Sequence, residues 1–355
     1  MIKKPEPIQS DFCKRLAPVS RILEDPDYRV WGCAPIYGED GRVHVYYSRW
    51  KNEHRHRGWL SACEIGHAVA DTAEGPFKFV DVALTGRGGN EWDSWTICNP
   101  SVYKVNDLFV LVYLGTDGSS FGLTADDLVK MSESEAEVYY KKLVRTKRVG
   151  MAVSKSANGP WKRVSDTEAL IDIGKPGEWD DICTTNPLLA FTPEGKFHLY
   201  YKSWSEISDK IGGNRKYGLA ISDKLEGPYV KHPNNPIIDF SVYGEKIQCE
   251  DAYAWHDGEN FKYVSRGMGV FDSHDLGLFM TSDDGIKWGN LQVGFLGAKD
   301  YFDEPLPGLP REGRFERPQV LFKDNDYKTP QYLFCAFVGG KYKTSSGVVL
   351  KINEK

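Results

Sequence analysis

The sequence predicts an all-β fold, namely a five-bladed β-propeller with a short N-terminal arm and one inserted helix. The first observation is that five runs of aromatic and β-branched residues recur along the 355 residues, most of them after a turn rich in Gly, Asp or Asn. Such a run after such a turn is typical of the second arm of a β-hairpin. The second observation is their spacing of about 70 residues, which suits propeller blades. The five runs cover residues 43–50, 108–115, 197–204, 261–267 and 332–340.

A second repeated unit is the third observation, and it predicts the outer hairpin of a blade. An alternating strand leads to a Ser/Asp turn and then to Gly, Pro and an aromatic residue, as in Gly159-Pro160-Trp161. The aromatic side chain is expected to pack back onto its own blade. We interpret this unit as structural. Its copies begin at Gly66, Gly150, Gly218 and, in a degenerate form without Pro, at Gly277.

Two segments interrupt the repeats. Residues 1–25 are polar and predict an arm or a short helix, so residues 26–355 are expected to form the propeller domain. Charged, helix-forming residues over about 124–145, with Thr124 or Asp126 as the N-cap, predict an inserted helix in blade two. We interpret this helix as a surface excursion, with a lid or a subunit contact as the alternative.

The composition excludes several classes of partner. With a net charge of −5, the chain carries no basic footprint for nucleic acid. No run approaches about 18 apolar residues, so no membrane span is predicted. The seven cysteines are scattered and predict reduced thiols, and the N-terminus shows no signal peptide. These features favour the cytoplasm, or an exported, periplasmic location if a signal peptide was removed.

The candidate functional residues precede or end the inner hairpins, because the loops at one mouth of a propeller channel build its site. Blades two and three have matching lead-ins, in which a Trp-Asp pair stands seven residues ahead of an Asn-Pro. Blade four offers a Cys-Glu-Asp lead-in and blade five a Phe-Glu-Arg-Pro lead-in. The candidates are Arg49, Trp50, Trp92, Asp93, Trp179, Asp180, Glu250, Asp251, His256, Glu316 and Arg317.

These residue types suit a sugar ligand. Hydrolysis of a glycoside uses one protonated carboxyl group and one ionised carboxylate, and Asp93, Asp180 and Glu250 are the carboxylates on which we focus. The three tryptophans suit the apolar faces of sugars, and the arginines suit hydroxyls or a uronate. As the alternative, the repeated Asp93 and Asp180 cap turns in their blades. Likewise, Glu316 and Arg317 could be an internal ion pair that holds the last blade shut.

At these residues the sequence resembles the five-bladed propeller glycoside hydrolases of families 43 and 117. The resemblance rests on the Gly-Pro-aromatic units, the Tyr-Tyr-Ser-Arg-Trp strand at 46–50 and the Phe-Glu-Arg-Pro-Gln segment at 315–319. Family 43 carries its acid at the position of Glu250, whereas Ala34 and Asn186 stand here at its two aspartate positions. Family 117 carries an aromatic-Asp pair at the positions of Asp93 and Asp180.

The resemblance implies an exo-acting, inverting glycoside hydrolase that releases a terminal sugar from plant or algal oligosaccharides. Asp93 would be the base, Glu250 the acid and Asp180 the residue that positions or tunes them. Two alternatives are a non-catalytic carbohydrate-binding propeller and a propeller glycoside phosphorylase. The phosphorylase would need a basic phosphate pocket, for which the sequence offers Arg49, Arg55, Arg57 and Arg317.

The resemblance also implies partners. No cofactor is required, but a structural divalent cation in the central channel is expected. Family 117 uses an N-terminal helix with a Ser-x-Ala-x-x-Arg pattern in dimer contacts. Ser10 and Arg15 match this pattern and Phe12 replaces the Ala, so a homodimer is a further expectation.

Overall fold

Five four-stranded antiparallel sheets surround a common axis, which confirms the predicted five-bladed propeller. The computed structural model describes residues 2–210, 213–303 and 314–354. Near the N-terminus lie a one-turn helix, α1 (Asp11–Lys14), and strand β1 (Leu16–Leu23), which belongs to blade five. The other helices are α2 (Gly58–Ser61), α3 (Ala125–Lys130), α4 (Glu133–Thr146) and α5 (Glu206–Asp209). Short 3-10 turns span Asn52–His54, Ser119–Phe121, Ser241–Tyr243, Ala298–Asp300 and Lys323–Asn325.

In blades one to four the strands follow one another outward from the axis in chain order. Blade one contains β2 (Tyr28–Tyr37), β3 (Val43–Lys51), β4 (Glu64–Ala70) and β5 (Lys78–Leu84). Blade two contains β6 (Thr96–Val105), β7 (Leu108–Thr116), β8 (Arg148–Ser154) and β9 (Lys162–Arg163). Blade three contains β10 (Thr185–Phe191), β11 (Phe197–Ser203), β12 (Lys216–Ser222) and β13 (Val230–Lys231). Blade four contains β14 (Gln248–His256), β15 (Phe261–Met268), β16 (Gly277–Ser282) and β17 (Gly289–Val293). Blade five contains β18 (Glu316–Phe322), β19 (Pro330–Val338), β20 (Ser345–Ile352) and β1.

The five runs that predicted the fold form the second strand of each blade. These strands are buried on both faces, which explains why they are almost continuously apolar rather than alternating. In β7, for example, every residue after Leu108 is buried. The outermost strands β9 and β13 have only two residues each and are partly exposed. The ordered core therefore lies close to the axis, where the inner strands converge.

The N-terminal segment is not a separate arm, contrary to the sequence prediction for residues 1–25. The predicted short helix is present as α1, capped by Ser10, but β1 pairs antiparallel with β20 and completes blade five. Ser10 and Arg15 bond to backbone carbonyls of this chain, at Val293 and Asn353 respectively. Because a ring of sheets must be closed by joining its two ends, the first strand is recruited into the last blade. The homodimer stays a prediction.

The insertion in blade two consists of two helices rather than the single helix predicted. Both α3 and α4 begin with a capping box, at Thr124 and Ser132, and the extended residue Met131 separates them. Leu128 and Leu143 pack with Leu60 of α2 in a small apolar cluster. The insertion therefore covers the loop that follows β3, and α4 ends beside the mouth of the channel. None of the described helices is long and apolar enough to cross a membrane.

Each innermost strand carries a β-bulge at the same place, and one residue of each bulge has a left-handed backbone. The φ angles of these residues lie between +46° and +67°. Such a bulge bends the strand and redirects its side chains. The five residues are Gly32, Asn99, Asn186, Asp251 and Arg317, which we call the axis ring.

Hydrogen bonds connect the axis ring around the centre of the propeller. The Asn99 amide donates to Asn186 Oδ1 at 3.0 Å, and the Asn186 amide donates to Asp251 Oδ1 at 2.6 Å. Arg317 Nη2 donates to the carbonyls of Asn99 and Pro100 at 3.0 and 3.1 Å. Arg317 Nη1 lies 3.9 Å from Asp251 Oδ1. The ring thus links blades two, three, four and five through buried side chains.

The axis ring corrects the alignment of blade one. From the sequence, Ala34, before Pro35, was expected at the blade-one position that corresponds to Asn186, before Pro187, in blade three. In the structure the strand register shifts between Trp31 and Ala34, and Gly32 is the left-handed residue. Gly32 is therefore the blade-one counterpart of Asn186, two residues earlier than predicted.

The axis ring does not fit the divalent cation that the resemblance implied. Its one carboxylate, Asp251, already accepts a hydrogen bond from Asn186 and faces the guanidinium of Arg317. A fixed positive charge at this place repels a metal cation, and the repulsion is strong away from water. In the described parts of the chain, no group of three or more His, Cys, Asp or Glu residues could hold a metal ion.

Replacement of Gly32 tests the packing of the axis ring. A Cβ at Gly32 would lie 3.1 Å from both Cβ and Cγ of Arg317. We expect Gly32→Ala to lower the free energy of unfolding by about 1–3 kcal/mol more than a left-handed backbone alone would cost. The control is Gly41→Ala, because Gly41 also has a positive φ but has no atom within 4 Å of such a Cβ. Equal losses in denaturant unfolding of the two variants would contradict the prediction.

Candidate active site

A cavity of about 440 Å³ opens at the mouth of the channel, on the propeller axis. Its size is in the usual range for small-molecule sites. Asn99, Asn186 and Asp251 of the axis ring form part of its lining, so the ring closes the cavity from below. The ends of α2 and α4 contribute Trp59 and Val144 to its side.

The lining of this pocket is rich in charge, and cations outnumber carboxylates among the described residues. This excess contrasts with the net negative charge of the whole chain. It predicts a positive potential in the pocket and attraction for anionic ligands. The cations are Arg29, Arg57, Lys147, Lys202, Arg215, Arg266 and Arg314, and the carboxylates are Asp209, Glu250, Asp251 and Glu316.

Glu250 lies at the centre of this charge cluster. Its Oε1 is 2.5 Å from Lys202 Nζ and 3.1 Å from Arg215 Nε, and its Oε2 is 3.5 Å from Arg266 Nη1. Burial disfavours the ionised form of Glu250, but the three cations outweigh it and hold the pKa well below the usual range. The Glu250 side chain is therefore a carboxylate at neutral pH and remains 18% exposed to the pocket.

Glu316 is the second carboxylate of the pocket that stands beside the axis ring. Arg266 Nη1 lies 2.8 Å from Glu316 Oε1 and also reaches Glu250, so one guanidinium nitrogen connects the two carboxylates. Glu250 and Glu316 directly precede the ring members Asp251 and Arg317 on neighbouring blades. The bulges thus place these two glutamates at equivalent positions and bring them together.

Four tryptophans form aromatic surface in the pocket. Trp50, predicted from the sequence as a stacking residue, lines the pocket and donates from Nε1 to the carbonyl of Arg55 at 2.7 Å. Trp204 donates from Nε1 to Asp209 Oδ1 at 2.9 Å, which fixes the plane of its ring. Trp31 and Trp59 also line the cavity. Indole faces of this kind suit the apolar faces of sugar rings and the stems of cations.

Asp93 and Asp180 do not line the pocket. Asp93 is fully buried inside blade two, where its oxygens are 2.5 Å from Arg87 Nε and 2.9 Å from Arg163 Nε. Asp180 is almost fully buried inside blade three, where Lys231 Nζ lies 2.6 Å from its Oδ2. Both aspartates thus join an inner lead-in to the outermost strand of the same blade. This placement favours a structural role for Asp93 and Asp180 over the catalytic role that was the other expectation from the sequence.

Trp92 and Trp179 belong to the same structural unit. Trp92 stacks on Tyr113 and Trp179 lies against Tyr201, with ring centroids 6.1 and 5.6 Å apart. The hydroxyl of Tyr201 donates to Asp180 at 2.9 Å. These tryptophans cover the second strand of their own blade and are not among the residues that line the pocket.

Three further candidates, Arg49, His256 and Arg317, are also not among the residues that line the pocket. Arg49 pairs with Glu64 at 3.0 Å, and its guanidinium lies over the ring of Tyr28 at 3.7 Å. His256 ends β14 at the far side from Glu250, packed against Phe261. Six residues of strand correspond to about 20 Å, so His256 cannot reach the substrate side of Glu250. Arg317 lies below the pocket in the axis ring and is 1% exposed.

Of the pocket cations, Arg57 was named from the sequence, whereas Lys147, Lys202, Arg215 and Arg266 were not. Lys202 and Arg266 end the second strands of blades three and four, and Arg266 lies directly across from Glu250. The sequence did contain a signal for these two cations. Blades two and five have the apolar residues Leu114 and Ala336 at the matching positions, so a charged residue there departs from the repeat. The pKa of Lys147 is lowered to about 8, mainly by burial, with Lys202 and Arg215 contributing to the decrease and Cys183 and Glu250 opposing it.

Substitution of Asp93 tests the structural role of the Trp-Asp units. We expect Asp93→Asn to lower the free energy of unfolding by about 3 kcal/mol, because two arginines lose their buried counter-charge. Denaturant unfolding followed by fluorescence measures this loss. The control is Asp172→Asn, since Asp172 pairs with Arg148 at 2.9 Å but is largely exposed, and we expect little change there. An unchanged unfolding free energy for Asp93→Asn would return this residue to the list of catalytic candidates.

The fold is similar to that of several solved glycoside hydrolases. Zg3597, a family 117 glycoside hydrolase of the marine bacterium Zobellia galactanivorans, shares 18% identity over 95% of this chain and 89% of its own, with a TM-score of 0.63. A GH43_1 enzyme from Xanthomonas citri shares 11% identity over 96% of this chain and 92% of its own, with a TM-score of 0.57. Fructan 1-exohydrolase IIa from Cichorium intybus shares 13% over 96% of this chain and 57% of its own, with a TM-score of 0.56.

No protein-family model matches the chain, and no curated protein matches it either. At 11–18% identity, the structural matches speak for the fold rather than for the chemistry. They confirm that the chain has the five-bladed propeller fold found in glycoside hydrolases of families 43 and 117.

Proposed function

We propose that this protein is a glycoside hydrolase that acts in the axial pocket, with Glu250 and Glu316 as its pair of carboxylates. The observation that carries the proposal is the convergence of these two side chains on Arg266, in a pocket walled by tryptophans. Hydrolysis of a glycoside needs two carboxyl groups across the scissile bond. The shared fold with known glycoside hydrolases supports the same chemistry. The proposal requires no cofactor.

The roles of the two carboxylates differ from those that the sequence suggested. A general acid must be protonated when it meets the substrate, whereas three cations keep Glu250 ionised. Glu250 therefore suits the base or nucleophile. The acid role passes by elimination to Glu316, the other carboxylate of the pair, which Arg266 contacts at 2.8 Å. In this assignment Asp93 and Asp180 hold their blades together and take no part in bond cleavage.

The shape of the pocket supports exo action, with release of a terminal sugar from an oligosaccharide of plant or algal type. The axis ring closes the pocket from below, and Val144 and Trp59 wall one side. In this proposal an oligosaccharide enters from the side opposite the axis ring and presents its end to Glu250. Among the structural neighbours, the Cichorium intybus protein is itself named as an exohydrolase.

Two oxygens of the Glu250 and Glu316 carboxylates, one from each group, lie within the lower limit of spacing for inverting pairs, which is an argument for retention where the resemblance implied inversion. Glu250 Oε2 and Glu316 Oε1 lie 3.5 and 2.8 Å from the same nitrogen of Arg266. They can be no farther apart than these two distances laid end to end. Inverting pairs stand about 6.5–9.5 Å apart to admit a water, and retaining pairs about 5–5.5 Å apart.

A phosphorylase is the second candidate, because Lys202 and Arg215 could bind inorganic phosphate beside Glu250. The arginines that the sequence nominated for this purpose do not assemble. Arg57 lines the pocket, but Arg49 lies on β3 and pairs with Glu64, Arg55 pairs with Glu133 at 3.3 Å, and Arg317 belongs to the axis ring. A carbohydrate-binding propeller without catalysis is the third candidate. The negative charge of Glu250 is balanced by three cations, which suits a residue that binds hydroxyls rather than one that transfers protons.

A hydrolysis screen tests the proposal. Wild-type protein is incubated with oligosaccharides from plant and red-algal polysaccharides, and products are followed by proton NMR. We expect one released monosaccharide, and a loss of about 100- to 10,000-fold in turnover for both Glu250→Gln and Glu316→Gln. The control is Glu64→Gln, because Glu64 forms a similar ion pair with Arg49 outside the pocket. Near wild-type turnover in either pocket variant would reject the assigned pair.

The same experiment separates the alternatives. A first-formed product with the anomeric configuration of the substrate would agree with retention, and the opposite anomer would overturn it. Turnover that depends on added inorganic phosphate and yields a sugar phosphate would identify a phosphorylase. Binding without any turnover would identify a carbohydrate-binding propeller.

A further inference from the structure

We propose that Lys147, held between Trp59 and Trp204, forms a subsite for an anionic substituent of the sugar, a carboxylate or a sulfate ester. The inference rests on the proposed function, because it names the class of substrate that the same pocket accepts. Neither the repeats nor the resemblance to known families pointed to this lysine.

The position of Lys147 is fixed from both sides. It directly follows α4, its backbone N–H donates to the carbonyl of Val144, and its own carbonyl accepts from Thr184 of blade three. The ammonium lies 5.5 Å from the ring centroid of Trp59 and 4.7 Å from that of Trp204. Both distances are within the range of cation–π contact. The side chain is thus oriented by the two indoles and lines the pocket while only 3% exposed.

The charge of Lys147 has no counter-ion among the described residues. The neighbouring pocket cations do have one, since Lys202, Arg215 and Arg266 all reach Glu250. No described carboxylate stands within ion-pairing distance of Lys147 Nζ, whereas a buried charge without a partner is costly. An anionic group of the ligand would supply the missing partner.

The surroundings of Lys147 favour an anion that is attached to a sugar. Indole faces suit the apolar face of a pyranose ring, and two of them flank the ammonium. A carboxylate or sulfate on that ring could therefore meet Lys147 while the ring lies on Trp204 or Trp59. Arg215 is placed to assist, because its guanidinium also lies over Trp204 at 5.5 Å. Inorganic phosphate has the charge but lacks the apolar face.

Matched ligands test this subsite by direct binding, independently of turnover. The probes are methyl glucuronoside, methyl galacturonoside and galactose 6-sulfate, each compared with its neutral counterpart, together with inorganic phosphate. Isothermal titration calorimetry on the full-length protein measures each dissociation constant. We expect at least one acidic probe to bind wild type about tenfold or more tightly than its neutral counterpart. Lys147→Met should remove this preference through a 10- to 100-fold loss, about that of one charged hydrogen bond.

The control is Lys142→Met. Lys142 lies five residues earlier on α4 and also stands over two rings, Phe121 at 5.9 Å and Tyr139 at 5.4 Å, but it is exposed outside the pocket. This variant loses the same charge and should keep the preference. Lys147→Gln provides a second test if the Met variant is unstable, and thermal unfolding verifies that each variant is folded.

Three outcomes would overturn the subsite. Wild type could show no preference for any acidic probe, both Lys147→Met and Lys147→Gln could retain the preference for acidic probes, or phosphate alone could bind tightly. The last result would assign the site to inorganic phosphate. If acidic probes bind through Lys147 but no glycoside is cleaved, the proposed hydrolase fails and the subsite stands. If neutral glycosides are cleaved equally well by wild type and Lys147→Met, and no acidic probe is preferred, the hydrolase stands and the subsite fails.

Discussion

The buried guanidinium of Arg317 is the interaction on which the rest of the structure depends. It belongs to blade five, donates to two carbonyls of blade two and faces Asp251 of blade four. Its side chain fits only because blade one offers Gly32 at the matching bulge. One residue of blade five thus lies against three other blades at the point where the blades converge. The same bulges direct the side chains of the preceding residues into the pocket, which is why Glu250 and Glu316 lie close together there. The geometry of the candidate site therefore depends on the packing of Arg317 and the bulges at the centre of the propeller.

The sequence predicted the fold well because a propeller repeats its chemistry. Apolar second strands and Gly-Pro turns recur in successive blades, so periodicity alone identifies them. The same repetition made Asp93 and Asp180 candidates for catalysis, whereas their burial in the structure favours a structural role. Asp93 and Asp180 recur because each neutralises a cation on the outermost strand of its blade, and those partners, Arg163 and Lys231, lie 70 and 51 residues away along the chain. Spacing cannot tell whether such a carboxylate faces the mouth or the interior. Glu250, which lacks this pattern, is in the pocket as expected.

Other features escaped prediction because they arise only when distant segments meet. The strand β1 looks like a polar arm in the sequence, and its burial depends on β20, to which it pairs across the closed ring. The break between α3 and α4 follows from two competing capping boxes within nine residues. Lys147 acquires its setting from Trp59 and Trp204, which belong to loops of different blades. Trp50, Asp251 and Glu316 were predicted at the mouth and do line the pocket, because they flank the inner hairpins directly.

The pairing of β1 with β20 has a consequence for how the molecule is made. During synthesis, residues 16–23 emerge long before residues 345–352, so β1 has no β20 to pair with until those residues have been made. Until then the ring is an open arc whose end blades expose apolar faces and an unpaired strand edge, the state from which aggregation starts. Closing the arc demands contacts between segments far apart in sequence, which slows folding. The final step of folding is therefore also the one that encloses the axis and completes the pocket.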